Sequence, residues 1–153
     1  MKRILVAALV LFIAGALLGA CLADGRSHSA ARISGVSADP AVAMVLGRSC
    51  ADCHSDNTAW PWYSRIPPVG EALRRDVSRG RAGMDFSRWA QYGPEQKDEA
   101  LAEIAALVRN GQMPPGRYTL LHPSARLSDA DVRRITEWTR QERRRIRAQA
   151  VSD

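Results

Sequence analysis

The sequence predicts a single all-α domain, and three observations carry that prediction. Ala100, Leu101, Ile104, Leu107 and Val108 repeat with the 3.6-residue period of an amphipathic helix. Helix start signals stand at both ends of the domain, in Asp39-Pro40 and in Ser128 with Asp131 three residues on. No segment alternates apolar and polar residues as a half-buried strand does, and no internal repeat is present. The 153 residues suffice for one core once an N-terminal segment is set aside. With 46% hydrophobic and 25% charged residues, the composition excludes disordered and fibrous classes.

The elements follow in order. Met1-Lys2-Arg3 is a short basic region, and Ile4 to Ala23 then runs without a charge. Residues 1–23 therefore read as an export signal, a lipoprotein signal or a membrane anchor. Leu18-Gly19-Ala20-Cys21 resembles a lipobox, which would make Cys21 the lipid-bearing first residue. An uncleaved span is the second outcome, since the run is just long enough to cross a bilayer. Cleavage after Ala23, releasing a soluble protein, is the third. All three place the domain outside the cytoplasm, on the periplasmic side of the membrane. Residues 24–38, rich in Ser, Ala and Gly without an apolar period, read as a flexible tether that includes His28.

The folded domain is expected over residues 39–148. Asp39 caps a first helix with Pro40 at its first position, and the helix should run to about Ser49. Val42, Val45 and Leu46 form its apolar stripe, and Ala43 and Gly47 a small-residue face. Trp60-Pro61-Trp62-Tyr63 and Ile66-Pro67-Pro68 read as an irregular loop, because proline interrupts any ladder. A second helix is expected over Val69 to Gly80 and a short one near Phe86 to Gln91. The periodic helix spans Pro94 to Arg109, and Gly111 ends it. Met113-Pro114-Pro115 is stiff, non-helical chain. The final helix opens at the Ser128 box and runs from about Asp129 to Ala148, with Val132, Ile135 and Trp138 facing inward.

The formal charge of +6 falls to +4 without Lys2 and Arg3. An excess that small, spread over several helices, does not mark a nucleic-acid-binding protein. The only strong cluster is Arg140, Arg143, Arg144, Arg145 and Arg147 near the C-terminus. It suits either docking of an acidic partner or a solvated helix end.

Cys50-Ala51-Asp52-Cys53-His54 is the chemically decisive string. Two cysteines separated by two residues and followed by histidine form the attachment pattern of c-type haem. One helical turn brings both thiols to the two vinyl groups of a porphyrin edge, and the next residue supplies the proximal imidazole. Cys21 lies in the export segment, so the remaining two cysteines of an exported chain form no ordinary disulfide framework. A zinc site would need a second Cys/His pair at finger or ribbon spacing, and a thioredoxin-like pair a preceding strand; neither is found.

A sixth iron ligand is expected from Met113, 59 residues after His54, in a loop stiffened by Gly111 and the proline pair. His122 in Leu120-Leu121-His122-Pro123 is the rival. Met44 and Met84 have no comparable setting.

Beyond the attachment string, the chain carries Trp60-Pro61-Trp62-Tyr63-Ser64, Phe86-Ser87-Arg88-Trp89, Gly111-Gln112-Met113-Pro114-Pro115, Tyr118-Thr119-Leu120-Leu121-His122-Pro123 and Leu127-Ser128-Asp129. In that order they resemble the small haem-binding domain family of bacterial exported proteins, relatives of c-type cytochromes, over roughly residues 40–140. The resemblance implies a small cytochrome-like helical domain wrapped around one covalent haem c, held by Cys50 and Cys53 with His54 as proximal ligand. In that setting Trp60, Trp62 and Tyr63 are expected to cover a haem edge, and Tyr118 to hydrogen-bond the axial sulfur. Arg65, Arg74 and Arg75 are expected to pair with propionates. Ala43 and Gly47 would let the first helix approach the last beneath Trp138, as in the crossed terminal helices of small c-type cytochromes.

The functional expectation is a mono-haem electron carrier, membrane-associated through its N-terminus and served by unidentified redox partner proteins. The alternative is a haem-based sensor or ligand-binding module in which a small molecule displaces Met113. No distal acid–base pair stands out, so the chain is not expected to be an enzyme.

Overall fold

Asp39 opens helix α1 (Pro40–Ser49) by accepting hydrogen bonds from the backbone N–H groups of Ala41 and Val42 at 2.8 and 3.1 Å. The computed structural model describes Ile33 and residues 35–151. The readings made for residues 1–23, Cys21 and His28 lie outside the described residues. Cys50 closes α1 and leads without a loop into α2 (Ala51–His54). Then come α3 (Val69–Gly83), α4 (Pro94–Arg109), α5 (Gly116–Leu121) and α6 (Asp129–Ala150). Short 3-10 turns cover Trp62–Arg65, Phe86–Gln91 and Pro123–Ala125. The described residues contain no β-strand, so the all-α class holds. No helix among them is long and apolar enough to cross a membrane.

The core lies between α1, α4 and α6. Leu46, Leu101 and Ile135 are fully buried in it, each contributing about 1.5–3 kcal/mol by leaving water. Phe86 and Trp89 close one side, their rings tilted at 6.4 Å. The Ser128 box forms as expected: Ser128 Oγ accepts from the Asp131 N–H while Asp131 Oδ2 accepts from the Ser128 N–H. Asp131 also receives Arg48 Nη2 at 2.6 Å, tying the first helix to the start of the last. Trp138 and Ile135 turn inward as predicted, and Val132 is half-buried.

Four boundaries differ from the sequence reading, each for a local reason. The tether ends earlier than residue 38: Ile33 is buried in the core, and Ser37 C=O accepts the Trp138 indole N–H at 2.8 Å. Helix α3 continues through Gly80, where a glycine serves close packing instead of termination. A 3-10 turn forms within the proline-rich loop, at Trp62–Arg65. Helix α5 was not expected, because six residues are too few to show a period.

The arginine cluster of α6 is tied up within the fold. Arg143 and Arg147 both grip Asp98 on α4, at 2.9–3.1 Å. Arg140 and Arg144 pair with Glu137, and Arg145 with Glu142. Hydrogen bonds from Arg147 and Arg143 hold the Asp98 carboxyl down at about 2. A depressed folded-state value stabilises above the ordinary carboxylate range and is lost as pH falls through the folded value. Asp98→Asn is therefore expected to lower the melting temperature by a few degrees at neutral pH. The gap to the unsubstituted protein should close between about pH 4 and pH 2, as melting curves across that range would register.

Candidate functional site

The Cys50–His54 string folds as one tight turn because both Cys53 N–H and His54 N–H bond back to Cys50 C=O, at 3.2 and 3.0 Å. Cys50, Cys53 and His54 all line one cavity of about 330 Å³. His54 Nδ1 lies 2.9 Å from Met84 C=O. A carbonyl only accepts, so Nδ1 carries the proton and Nε2 keeps its lone pair for a metal. Met84 is placed for this by the end of α3, where its own N–H bonds Gly80 C=O.

Glycine at position 80 lets α3 approach the motif. A Cβ there would stand 2.6 Å from Cys53 C=O and 3.2 Å from Cys53 Cβ. Gly80→Ala must shift backbone that carries Cys53, at an expected cost of about 1–3 kcal/mol. Urea unfolding would measure the loss, and haem content per chain should fall with it.

Met113 lines the same cavity from the other end of the sequence. Gly111 takes φ +66° after α4, a left-handed turn that glycine adopts without strain. The N–H groups of Gln112 and Met113 then both bond Leu107 C=O, at 2.9 and 3.2 Å. Past Pro115, α5 is pinned twice. Arg117 forms a two-pronged pair with Asp76 of α3, and Tyr118 O–H donates to Asp52 Oδ2 at 2.8 Å. Burial and the adjacent Asp52 carboxylate push the Tyr118 hydroxyl above its ordinary value, so it stays a donor.

The remaining lining is mostly apolar, with Leu46, Phe86, Ile104 and Leu107 among it. Arg79, Glu103 and Arg117 also reach it but are exposed, which sets them at its rim. Burial, then the neighbouring Cys53 sulfur, pushes the Cys50 thiol up to about 12. Burial, then Asp52 and Asp76, pushes Cys53 up to about 11. Both are free cysteines and remain protonated at neutral pH. Ser49, also in the lining, has a buried hydroxyl with no hydrogen-bond partner among the described residues. A group in the cavity offering an acceptor would remove that cost, about 1–3 kcal/mol.

Several expected neighbours of the site are elsewhere. Trp60, Trp62 and Tyr63 do not line the cavity; Trp62 is 73% exposed, because Pro61 and the short turn carry the loop outward. His122 is also outside it: its Nε2 pairs with the Tyr63 hydroxyl and its ring stacks on Tyr118 at 4.4 Å. The Tyr118 hydroxyl is directed to Asp52 and not to the Met113 sulfur. Arg65, Arg74 and Arg75 stay off the lining, and Arg75 pairs with Glu71. Sequence reasoning missed Arg79 and Asp76. Their signal was the helical spacing of 76, 79, 80 and 83, one face of α3, which becomes meaningful only once Gly80 is known to touch Cys53.

The haem-binding domain family matches residues 21–141 of the chain. The cytochrome c peroxidase Ccp of Escherichia coli (strain K12) is 27% identical over 106 residues, covering 65% of this chain. The chain spans only 23% of that relative's length. No solved structure matches. A match over most of the chain, around a cavity that gathers the cysteine pair, a histidine and a methionine, makes this protein a member of the haem-binding domain family, related to cytochromes.

Proposed function

We propose that the chain is a mono-haem c-type electron carrier, with one haem held covalently by Cys50 and Cys53 and ligated by His54 and Met113. One observation carries the reading. These four residues come from the α1–α2 junction and from a loop 59 residues later, yet they line a single cavity. The donor set fits haem c. Two protonated thiols stand one turn apart, and a histidine has its Nδ1 on Met84 C=O and its Nε2 free. The orphaned Ser49 hydroxyl and the apolar walls fit a large, mainly apolar group.

Bound haem supplies a one-electron iron couple. The chain's own part is to hold, orient and shield it. Cys50 and Cys53 would fix the macrocycle edge as thioethers, and Met84 C=O sets the tautomer of the proximal imidazole. Leu46, Phe86, Ile104 and Leu107 exclude water, which tunes the potential. Arg79, with no ion pair among the described residues, and Arg117 offer cations for carboxylates at the rim.

The Escherichia coli relative is named for peroxidase activity, but this chain matches less than a quarter of it. If Met113 holds the sixth position of a bound haem, peroxide would have to displace it to reach the iron, and on that ground we favour a carrier. The uncharged run from Ile4 to Ala23 supports a location outside the cytoplasm, attached to the membrane through that segment or through lipid on Cys21. Partner proteins would then exchange electrons with it there.

The test is the visible spectrum of the purified protein, oxidised and reduced, with and without carbon monoxide. A low-spin c-type spectrum unmoved by carbon monoxide is expected. A spectrum that shifts would turn the reading to a sensor with a displaceable Met113, and no haem spectrum from cells that mature c-type cytochromes would end it.

A further inference from the structure

We propose that Asp52 and Tyr118 are a positioning pair that holds Met113 at the iron, so that the attachment motif itself governs how firmly the distal ligand binds. The proposal rests on the reading of Met113 as axial ligand and adds residues to it. A thioether binds iron weakly, so its occupancy depends on the backbone that presents it.

That backbone is a loop with two anchored ends. The leading end is fixed by the Leu107 carbonyl and the Gly111 turn. The trailing end is α5, six residues with Gly116, Arg117, Leu120 and Leu121 exposed, too little burial to hold itself in place. His122 at its end pairs with Tyr63, and two contacts tie the helix itself to the elements beside the cavity. Arg117 to Asp76 is solvent-screened, with side chains 70% and 31% exposed, and pairs of that kind are weak. The other is Tyr118 to Asp52, where the carboxylate is 8% exposed and the bond is charge-assisted.

Asp52 is itself a fixed post. Its Oδ1 accepts the Ala59 N–H at 3.0 Å, and its C=O accepts the Thr58 hydroxyl at 2.7 Å. Arg81 in turn donates to Thr58 Oγ1 and to Ser55 C=O. Asp52 lies between the two attachment cysteines, and Tyr118 five residues after Met113. This hydrogen bond therefore links the Cys50–His54 turn directly to the segment that follows Met113.

The experiment uses holoprotein and reads the iron directly. Two quantities are measured: the far-red thioether-to-iron charge-transfer band of the oxidised form, and the carbon monoxide affinity of the reduced form. Tyr118→Phe should weaken the band and raise carbon monoxide affinity on the order of tenfold. Asp52→Ala should do likewise, and the double variant should go no further than the larger single one. Glu71→Ala, which breaks the solvent-exposed Glu71–Arg75 pair away from the cavity, should leave both quantities unchanged. Tyr118→Phe keeps the ring on His122, so it decides alone if Asp52→Ala does not accumulate. An unchanged band and affinity in Tyr118→Phe, even with a lowered melting temperature, overturns the pair while a band lost in Met113→Ala keeps Met113 as ligand. A wild-type protein without the band, or a Met113→Ala protein that retains it, overturns both.

Discussion

A Cys50→Ala/Cys53→Ala variant, made in cells with a c-type maturation system, is expected to lose all haem to acid-acetone extraction, whereas the unsubstituted protein retains it. The effect is all-or-none because thioether bonds survive unfolding and non-covalent contacts do not. Each single variant should keep one thioether at reduced yield. Haem retained by the double variant after extraction would refute covalent attachment at this pair.

The second large effect is expected at the distal side. Met113→Ala should turn a protein inert to carbon monoxide into one that binds it stoichiometrically. It should also lower the reduction potential on the order of 0.1 V, within the roughly 0.8 V span that axial ligands command. His122→Ala is the informative comparison. That ring is buried, paired with Tyr63 and stacked on Tyr118, so its removal should destabilise the fold, by about 2–4 kcal/mol in urea unfolding. It should leave the sixth position closed. If His122→Ala opened the site and Met113→Ala did not, the ligand assignment would be reversed.

Much of the architecture was legible because its signals are local. Asp39-Pro40 and Ser128 with Asp131 mark helix starts within four residues, and the structure forms both caps. The α4 stripe predicted a helix correctly, although its residues divide between two duties: Leu101 joins the core, while Ala100, Ile104 and Leu107 line the cavity. Periodicity says which face is apolar, not what it faces. The aromatic loop shows the converse failure. Trp60 and Trp62 read as plates for a cofactor because they are large and near the motif, yet the proline geometry leaves both exposed.

The family and the helical class were thus legible in the sequence alone, which also nominated Cys50, Cys53 and His54, since caps, periods and their spacing each act within a turn or two of chain. Only the tertiary structure decided which polar groups reach the cavity and which are held by one another. Tyr63 with His122, Asp52 with Tyr118 and Arg48 with Asp131 join residues 59, 66 and 83 positions apart. Partners that distant meet through the packing of whole helices, and no local pattern encodes which buried donor will find which acceptor.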